Sequence, residues 1–118
     1  MTTVLVVDDD PALRMLCRVN LELDGYEVVE AGSVDEAAAH AAEHDIDVVL
    51  LDIRMGEGVG NGLTLLDRLP EGQQPAVALL TGSVDLTRFE QPAEVDAIIS
   101  KPFALDELTT VVRDLAAR

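Results

Sequence analysis

Val48-Val49-Leu50-Leu51-Asp52-Ile53-Arg54-Met55 is the stretch on which the fold turns. Four aliphatic residues in succession end at a carboxylate. A short apolar run with no polar alternation suits a strand covered on both faces, as in a parallel sheet. At the end of such a strand Asp52 emerges at the carboxyl edge, where open α/β sheets bind ligands. Asp is also a common residue of strand-to-loop turns. Taken alone, Asp52 is open to either role.

The same pattern recurs on both sides. Val4-Leu5-Val6-Val7 runs into Asp8-Asp9-Asp10, Ala76-Val77-Ala78-Leu79-Leu80 into Thr81-Gly82-Ser83, and Ala97-Ile98-Ile99 into Ser100-Lys101-Pro102-Phe103. Tyr26 to Val29 gives a further short strand. Between these runs lie helical signals. Asp10-Pro11 reads as an N-cap with proline in the first turn, followed by Leu13, Leu16, Cys17 and Leu21 at helical spacing, with Gly25 as the stop. Ser33 and Glu36 form a capping box opening an Ala-rich helix from Val34 to about Glu43. Asn61 is placed to cap a short helix carrying Leu63, Leu65 and Leu66, and a weak helix is predicted from Val84 to Gln91. Leu105, Leu108, Val111, Val112 and Leu115 form the apolar stripe of a last helix.

Strand and helix therefore alternate five times. That order predicts an α/β fold, a doubly wound three-layer sandwich with parallel strands, right-handed crossovers and helices on both faces. With 118 residues and no linker, low-complexity tract or internal repeat, residues 1–118 are expected to form a single domain.

Composition narrows function. Lys and Arg number 8 against 23 Asp and Glu, a net charge of −15, which speaks against direct binding to nucleic acid or an anionic membrane. It is compatible with a carboxylate cluster that recruits a divalent cation. The single cysteine, Cys17, excludes an internal disulfide and a Cys-based zinc site, and its apolar neighbours predict a buried thiol. Without a signal-type segment or an apolar run near 18 residues, a cytoplasmic protein is expected.

If the strands lie side by side, Asp8, Asp9, Asp52, Thr81 and Lys101 converge on one sheet edge. Three carboxylates repel unless a cation joins them, and oxygen-seeking Mg²⁺ (or Mn²⁺) suits such a set. A cation, a compact ammonium and a hydroxyl are what a transferring phosphoryl group needs around its oxygens. A carboxylate beside them can act as nucleophile.

On these residues the chain resembles the receiver domain of two-component response regulators, from about Thr3 to Ala117. Asp8-Asp9 matches the family's acidic pair, Asp52 its phosphoacceptor, Thr81 its hydroxyl residue and Lys101-Pro102-Phe103 its Lys-Pro-Phe. The resemblance implies a flavodoxin-like sheet of order 2-1-3-4-5 and a cis peptide at Lys101-Pro102. It implies Mg²⁺ bound by Asp9, Asp52 and the backbone carbonyl of Arg54, with Asp8 assisting largely through metal-bound water. The implied reaction moves a phosphoryl group from the phosphohistidine of a histidine kinase, or of a histidine phosphotransfer protein, to Asp52. Hydrolysis then resets the switch. Apart from this self-phosphorylation and self-dephosphorylation, no enzyme activity is implied. A kinase would dock near the first helix. The output partner is not named by the sequence, and the final helix leaves no room for a DNA-binding module within these 118 residues.

Three departures stand out. Ile98 occupies the position, three before the lysine, where the family usually carries an aromatic switch. The loop after Asp52, with four of the eight glycines between Gly56 and Gly62, is two residues longer than usual. The segment between Thr81 and Lys101 is about two residues short and contains Pro92, which puts the common mode of dimerisation in doubt. Two other classes compete. A haloacid-dehalogenase-like phosphohydrolase would use the Asp8-Asp9-Asp10 spacing but leaves Asp52 without a role. A non-phosphorylated pseudo-receiver would not need all five site residues. His40 and His44, four apart, are read as an exposed polar face, since the sequence offers no further ligand cluster. Arg14 and Arg18 on the first helix could meet an acidic partner but are read by default as solubilising surface charges.

Overall fold

The computed structural model describes residues 2–53, 61–82 and 95–117. In chain order these form β1 (Thr3–Val7), α1 (Pro11–Leu23), β2 (Glu27–Ala31), α2 (Val34–Glu43), β3 (Val48–Asp52), a 3₁₀ helix (Asn61–Arg68), β4 (Ala76–Gly82), β5 (Val95–Lys101) and α3 (Leu105–Ala116). The helix predicted over 84–91, Arg54 and most of the loop after Asp52 lie outside the described residues.

The strands pair in parallel in the order β2-β1-β3-β4-β5. Their unbroken aliphatic character has a direct cause: both faces are covered. Leu5, Val7, Val49 and Leu51 join the core on the side of α2 and the 3₁₀ helix. The alternating residues Val4, Val6, Val48 and Leu50 join the opposite core, against Cys17 and Leu21 of α1 and Leu108, Val112 and Leu115 of α3. Cys17 is fully buried, and burial, reinforced by the Asp8 charge, pushes its thiol pKa up to about 11.

Local signals fix the helix ends. Asp10 caps α1 by accepting the N–H groups of Ala12 (3.0 Å) and Leu13 (3.4 Å), and Gly25 leaves the helix with φ +94°. At α2, Ser33 Oγ accepts the Glu36 N–H (3.1 Å), while Glu36 Oε1 reaches back to the N–H of Gly32 (2.7 Å). The capping box thus closes one residue earlier than its usual reciprocal form. After β3 the predicted short helix is a 3₁₀ helix. Leu63 and Leu66, with Leu69 just past the helix end, recur every third residue and pack on the core around buried Leu65, a period that suits three residues per turn. The last strand is longer than its three apolar residues predict at both ends: it starts at Val95, paired with Val77, and Ser100 and Lys101 continue the pairing with Thr81 and Gly82.

Candidate functional site

In this sheet order the chain turns from β1 to β2 on one side and to β3 on the other, so the carboxyl ends of β1 and β3 flank the switch point. The register aligns Val7 with both Ala31 and Leu51, which brings Asp8 and Asp52 to neighbouring strand ends. The Asp8 N–H donates to the Ala31 carbonyl (3.1 Å), and the Ile53 N–H donates to the Leu80 carbonyl (3.3 Å). The backbone under both carboxylates is therefore held by the sheet.

Asp8 and Asp52 are buried. Lys101 joins them: its Nζ donates to Asp8 Oδ2 and to Asp52 Oδ2, each at 3.1 Å. Lys101 sits two strands from β3, about 10 Å away by strand spacing. Its register partner in β4 is Gly82, which presents no side chain beside it. The Lys101-Pro102 peptide is cis. Partial burial disfavours the ammonium, but the hydrogen bond to Asp52 and the charges of Asp8 and Asp52 outweigh it and raise the Lys101 pKa above its ordinary value.

Asp9 is exposed, yet one carboxylate oxygen from each of Asp8, Asp9 and Asp52 lies within 4.8 Å of the others. Among the described residues, three carboxylates thus face one ammonium. The set is all oxygen, two members are desolvated, and two negative charges are left over. Those are the requirements of a hard divalent cation, so the residues fit Mg²⁺.

Asp10 is not part of this group. Its carboxylate caps α1, as described above, and its N–H donates to Asp8 Oδ1 (2.9 Å). Thr81 is buried at the end of β4, one residue beyond the Leu80 that pairs with Asp52. Its hydroxyl donates to the Gly82 carbonyl (3.1 Å). Asp8, Asp9, Asp52 and Lys101 are brought together; Thr81 lies at the same edge, with its hydroxyl turned to its own strand. The Arg54 carbonyl, expected as a metal ligand, lies outside the described residues.

Two neighbours support the site in roles that the sequence does not assign to them. Arg14 is no solubilising surface charge: its Nη1 donates to the Asp8 carbonyl (2.6 Å) and its Nε to Glu30 (3.4 Å). Arg18 holds Glu30 from the other side (2.7 Å), so α1 and β2 together brace the backbone of Asp8. The signal was a carboxylate one residue before the end of the strand beside β1. Gly62 is the second. Its N–H donates to the Ile53 carbonyl (2.9 Å), and a Cβ there would overlap the Asp52 carbonyl oxygen. Only a missing side chain allows the chain to return that close to β3.

The family model of the response regulator receiver domain matches residues 4–113. The chain belongs to the response regulator receiver family. It is 34% identical over 120 residues to the transcriptional regulatory protein KdpE of Mycobacterium tuberculosis, covering all of this chain and 52% of that protein. It is 34% identical over 119 residues to the transcriptional regulatory protein ResD of Bacillus subtilis, covering 99% and 49%. The chain spans about half the length of these relatives. Among solved structures, a CheY-like receiver domain protein from Methanospirillum hungatei superposes with TM-score 0.85 at 27% identity, covering 99% of this chain and 94% of that one. The response regulator TrrA from Thermotoga maritima, in complex with Mg²⁺–BeF, gives TM-score 0.82 at 30% identity, covering 98% and 99%. This receiver domain is therefore a component of two-component signalling, and its flavodoxin-like sheet order is that of its relatives. Among the described residues, no helix is long and apolar enough to cross a membrane.

Proposed function

We infer that this receiver domain is a phosphoacceptor whose nucleophile is Asp52. The supporting observation is the ammonium of Lys101 held at 3.1 Å from both Asp52 and Asp8, with Asp9 alongside, at the carboxyl edge of the sheet. Asp8, Asp9 and Asp52, with the Arg54 carbonyl, would hold Mg²⁺ (or Mn²⁺). When bound, the cation supplies positive charge at the phosphoryl oxygens.

The protein's own groups account for the rest. Asp52 uses a carboxylate lone pair to attack the phosphorus of a phosphohistidine, and the P–N bond to the imidazole breaks as the acyl phosphate forms. Lys101 already lies beside the attacking carboxylate, and its raised pKa keeps it charged and ready to pair with a phosphoryl oxygen. Thr81 donates to the phosphoryl group by rotating its hydroxyl away from the Gly82 carbonyl. Arg14 and Glu30 keep the Asp8 backbone fixed while charge at the site changes. Hydrolysis of the acyl phosphate, also performed at this site, resets the domain. The donor is a sensor histidine kinase or a histidine phosphotransfer protein, and the movement of Thr81 and Lys101 biases a surface read by an output partner. The whole span 1–118 acts as one unit in the cytoplasm. Neither nucleic acid nor membrane is a direct partner of a domain carrying −15 charge.

Acetyl phosphate with Mg²⁺, followed by intact mass, tests the proposal. A phosphate-mass adduct on the wild type that is lost in Asp52→Ala is expected. A wild type without adduct would move the domain to the pseudo-receiver class.

A further inference from the structure

A second group of metal-ligating side chains lies at the end of α2. His40, Glu43 and His44 each offer one ligand atom, and these atoms lie within 4.8 Å of one another. In sequence the two histidines lack a third ligand; in the folded helix Glu43 supplies it. Positions three and four apart on a helix are neighbours, so Glu43 and His44 both flank His40. The two imidazole centroids are 6.0 Å apart with their planes tilted by 45°. In a tetrahedral site with bonds of about 2.0 Å, donor atoms sit roughly 3.4 Å apart. Binding therefore requires the three side chains to rotate inward.

We propose that His40, Glu43 and His44 form a binding site for a divalent transition metal of borderline softness, with Zn²⁺ as its best occupant. Two imidazoles and a carboxylate are a ligand set that zinc accepts, with further positions left to water. Nδ1 of His40 is buried and has no hydrogen-bond partner among the described residues, so a metal need not displace one there. The backbone beneath the ligands is held in place. His44 caps the helix, its N–H bonded to the His40 carbonyl (3.0 Å), and Gln73 Nε2 donates to the carbonyls of Ala41 (3.0 Å) and His44 (3.3 Å). The carbonyl end of α2 adds negative potential that favours a cation.

Selectivity separates this group from the acidic edge. Imidazole favours Zn²⁺, Cu²⁺ and Ni²⁺, whereas the all-carboxylate set of Asp8, Asp9 and Asp52 favours Mg²⁺. The two groups are also apart in space. α2 begins beside the carboxyl end of β2 and finishes at the opposite edge of the sheet, where Gln73 precedes β4. The sole thiol, Cys17, is buried and does not compete for zinc.

The test is Zn²⁺ titration of the full chain in excess Mg²⁺, read by calorimetry and by the ring C–H resonances of the histidines. Loss of an outer-shell partner of a metal site typically costs about tenfold to a hundredfold in affinity, and a direct ligand no less. His40→Ala and His44→Ala are therefore each expected to weaken Zn²⁺ binding at least about tenfold. Asp52→Asn is expected to leave it unchanged. In the wild type, the ring signals of both histidines should move with the first equivalent of Zn²⁺. Ring signals that stay still, affinity unaltered in both histidine variants, or affinity abolished by Asp52→Asn would each overturn the proposal. Phosphorylation plays no part in the readout, so failure here leaves the role of Asp52 untouched.

Discussion

Asp52→Asn keeps the shape of a buried side chain and removes its charge, and the geometry decides the sign of the effect. Lys101 Nζ at 3.1 Å supplies about 5 kcal/mol of attraction at an effective dielectric near 20. Asp8 and Asp9, within 4.8 Å, each supply about 3.5 kcal/mol of repulsion at that dielectric, with the share of exposed Asp9 reduced by solvent. These contributions nearly cancel, so the cost of burying the carboxylate decides. That cost is several kcal/mol for an ion and much smaller for an amide. Lys101 meanwhile keeps its partner Asp8. The variant is expected to be about 2 kcal/mol more stable than the wild type without metal, raising Tm by about 8 °C for a domain of this size. Urea unfolding followed by circular dichroism, in EDTA and again in Mg²⁺, measures this. Mg²⁺ should stabilise the wild type and have far less effect on the variant. A variant less stable than the wild type in EDTA, or equally stabilised by Mg²⁺, would show that the three carboxylates are not the strained cation site described here.

Further outcomes follow from individual contacts. Gly62→Ala places a Cβ against the Asp52 carbonyl oxygen, so it should cost about 1–3 kcal/mol and slow phosphorylation; unchanged urea midpoint and labelling rate would contradict this. Cys17 should resist thiol reagents in the native state below its raised pKa. Stability linked to this thiol is intact below the ordinary value of 9.0 and is lost as pH rises toward about 11, by up to about 3 kcal/mol. Cys17→Ala should lack that slope in alkaline unfolding curves. Ile98 of β5 lies opposite Leu79 of β4, is exposed, and carries no ring to turn toward the site. Amide shifts induced by beryllofluoride should therefore be largest after Thr81, and shifts confined to β5 and its flanking helices would refute that coupling.

The fold was legible wherever a signal was local. Continuous aliphatic runs marked the strands because both sheet faces are covered, and Asp10, Ser33 and Gly25 marked helix ends through their own backbone contacts. Strand lengths were less legible. Glu30 and Ala31 extend β2, and Ser100 and Lys101 extend β5, through pairing with neighbours that sequence patterning does not contain. The 3₁₀ helix was readable only by weighing the three-residue period of Leu63, Leu66 and Leu69 above the cap expected at Asn61.

The site divides in the same way. Asp8, Asp9, Asp52 and Lys101 were legible because each lies at the last residue of a strand or just past it, and parallel strands send their ends to one edge. Arg14 was not, because its role depends on which face of α1 meets β2. Gly62 was hidden by the other glycines of its loop, and only the return of the chain to Ile53 distinguishes it. Glu43 gained meaning beside His40 and His44 once the last turn of α2 and its C-cap brought all three together.

Trapping the acyl phosphate tests the role of Asp52 most directly. Reduction of the phosphorylated chain with borohydride converts the modified aspartate to homoserine, and tandem mass spectrometry then places it. Homoserine is expected at position 52 alone, formed only with Mg²⁺ present. Homoserine at position 8 would contradict it and point instead to phosphohydrolase chemistry at the first strand.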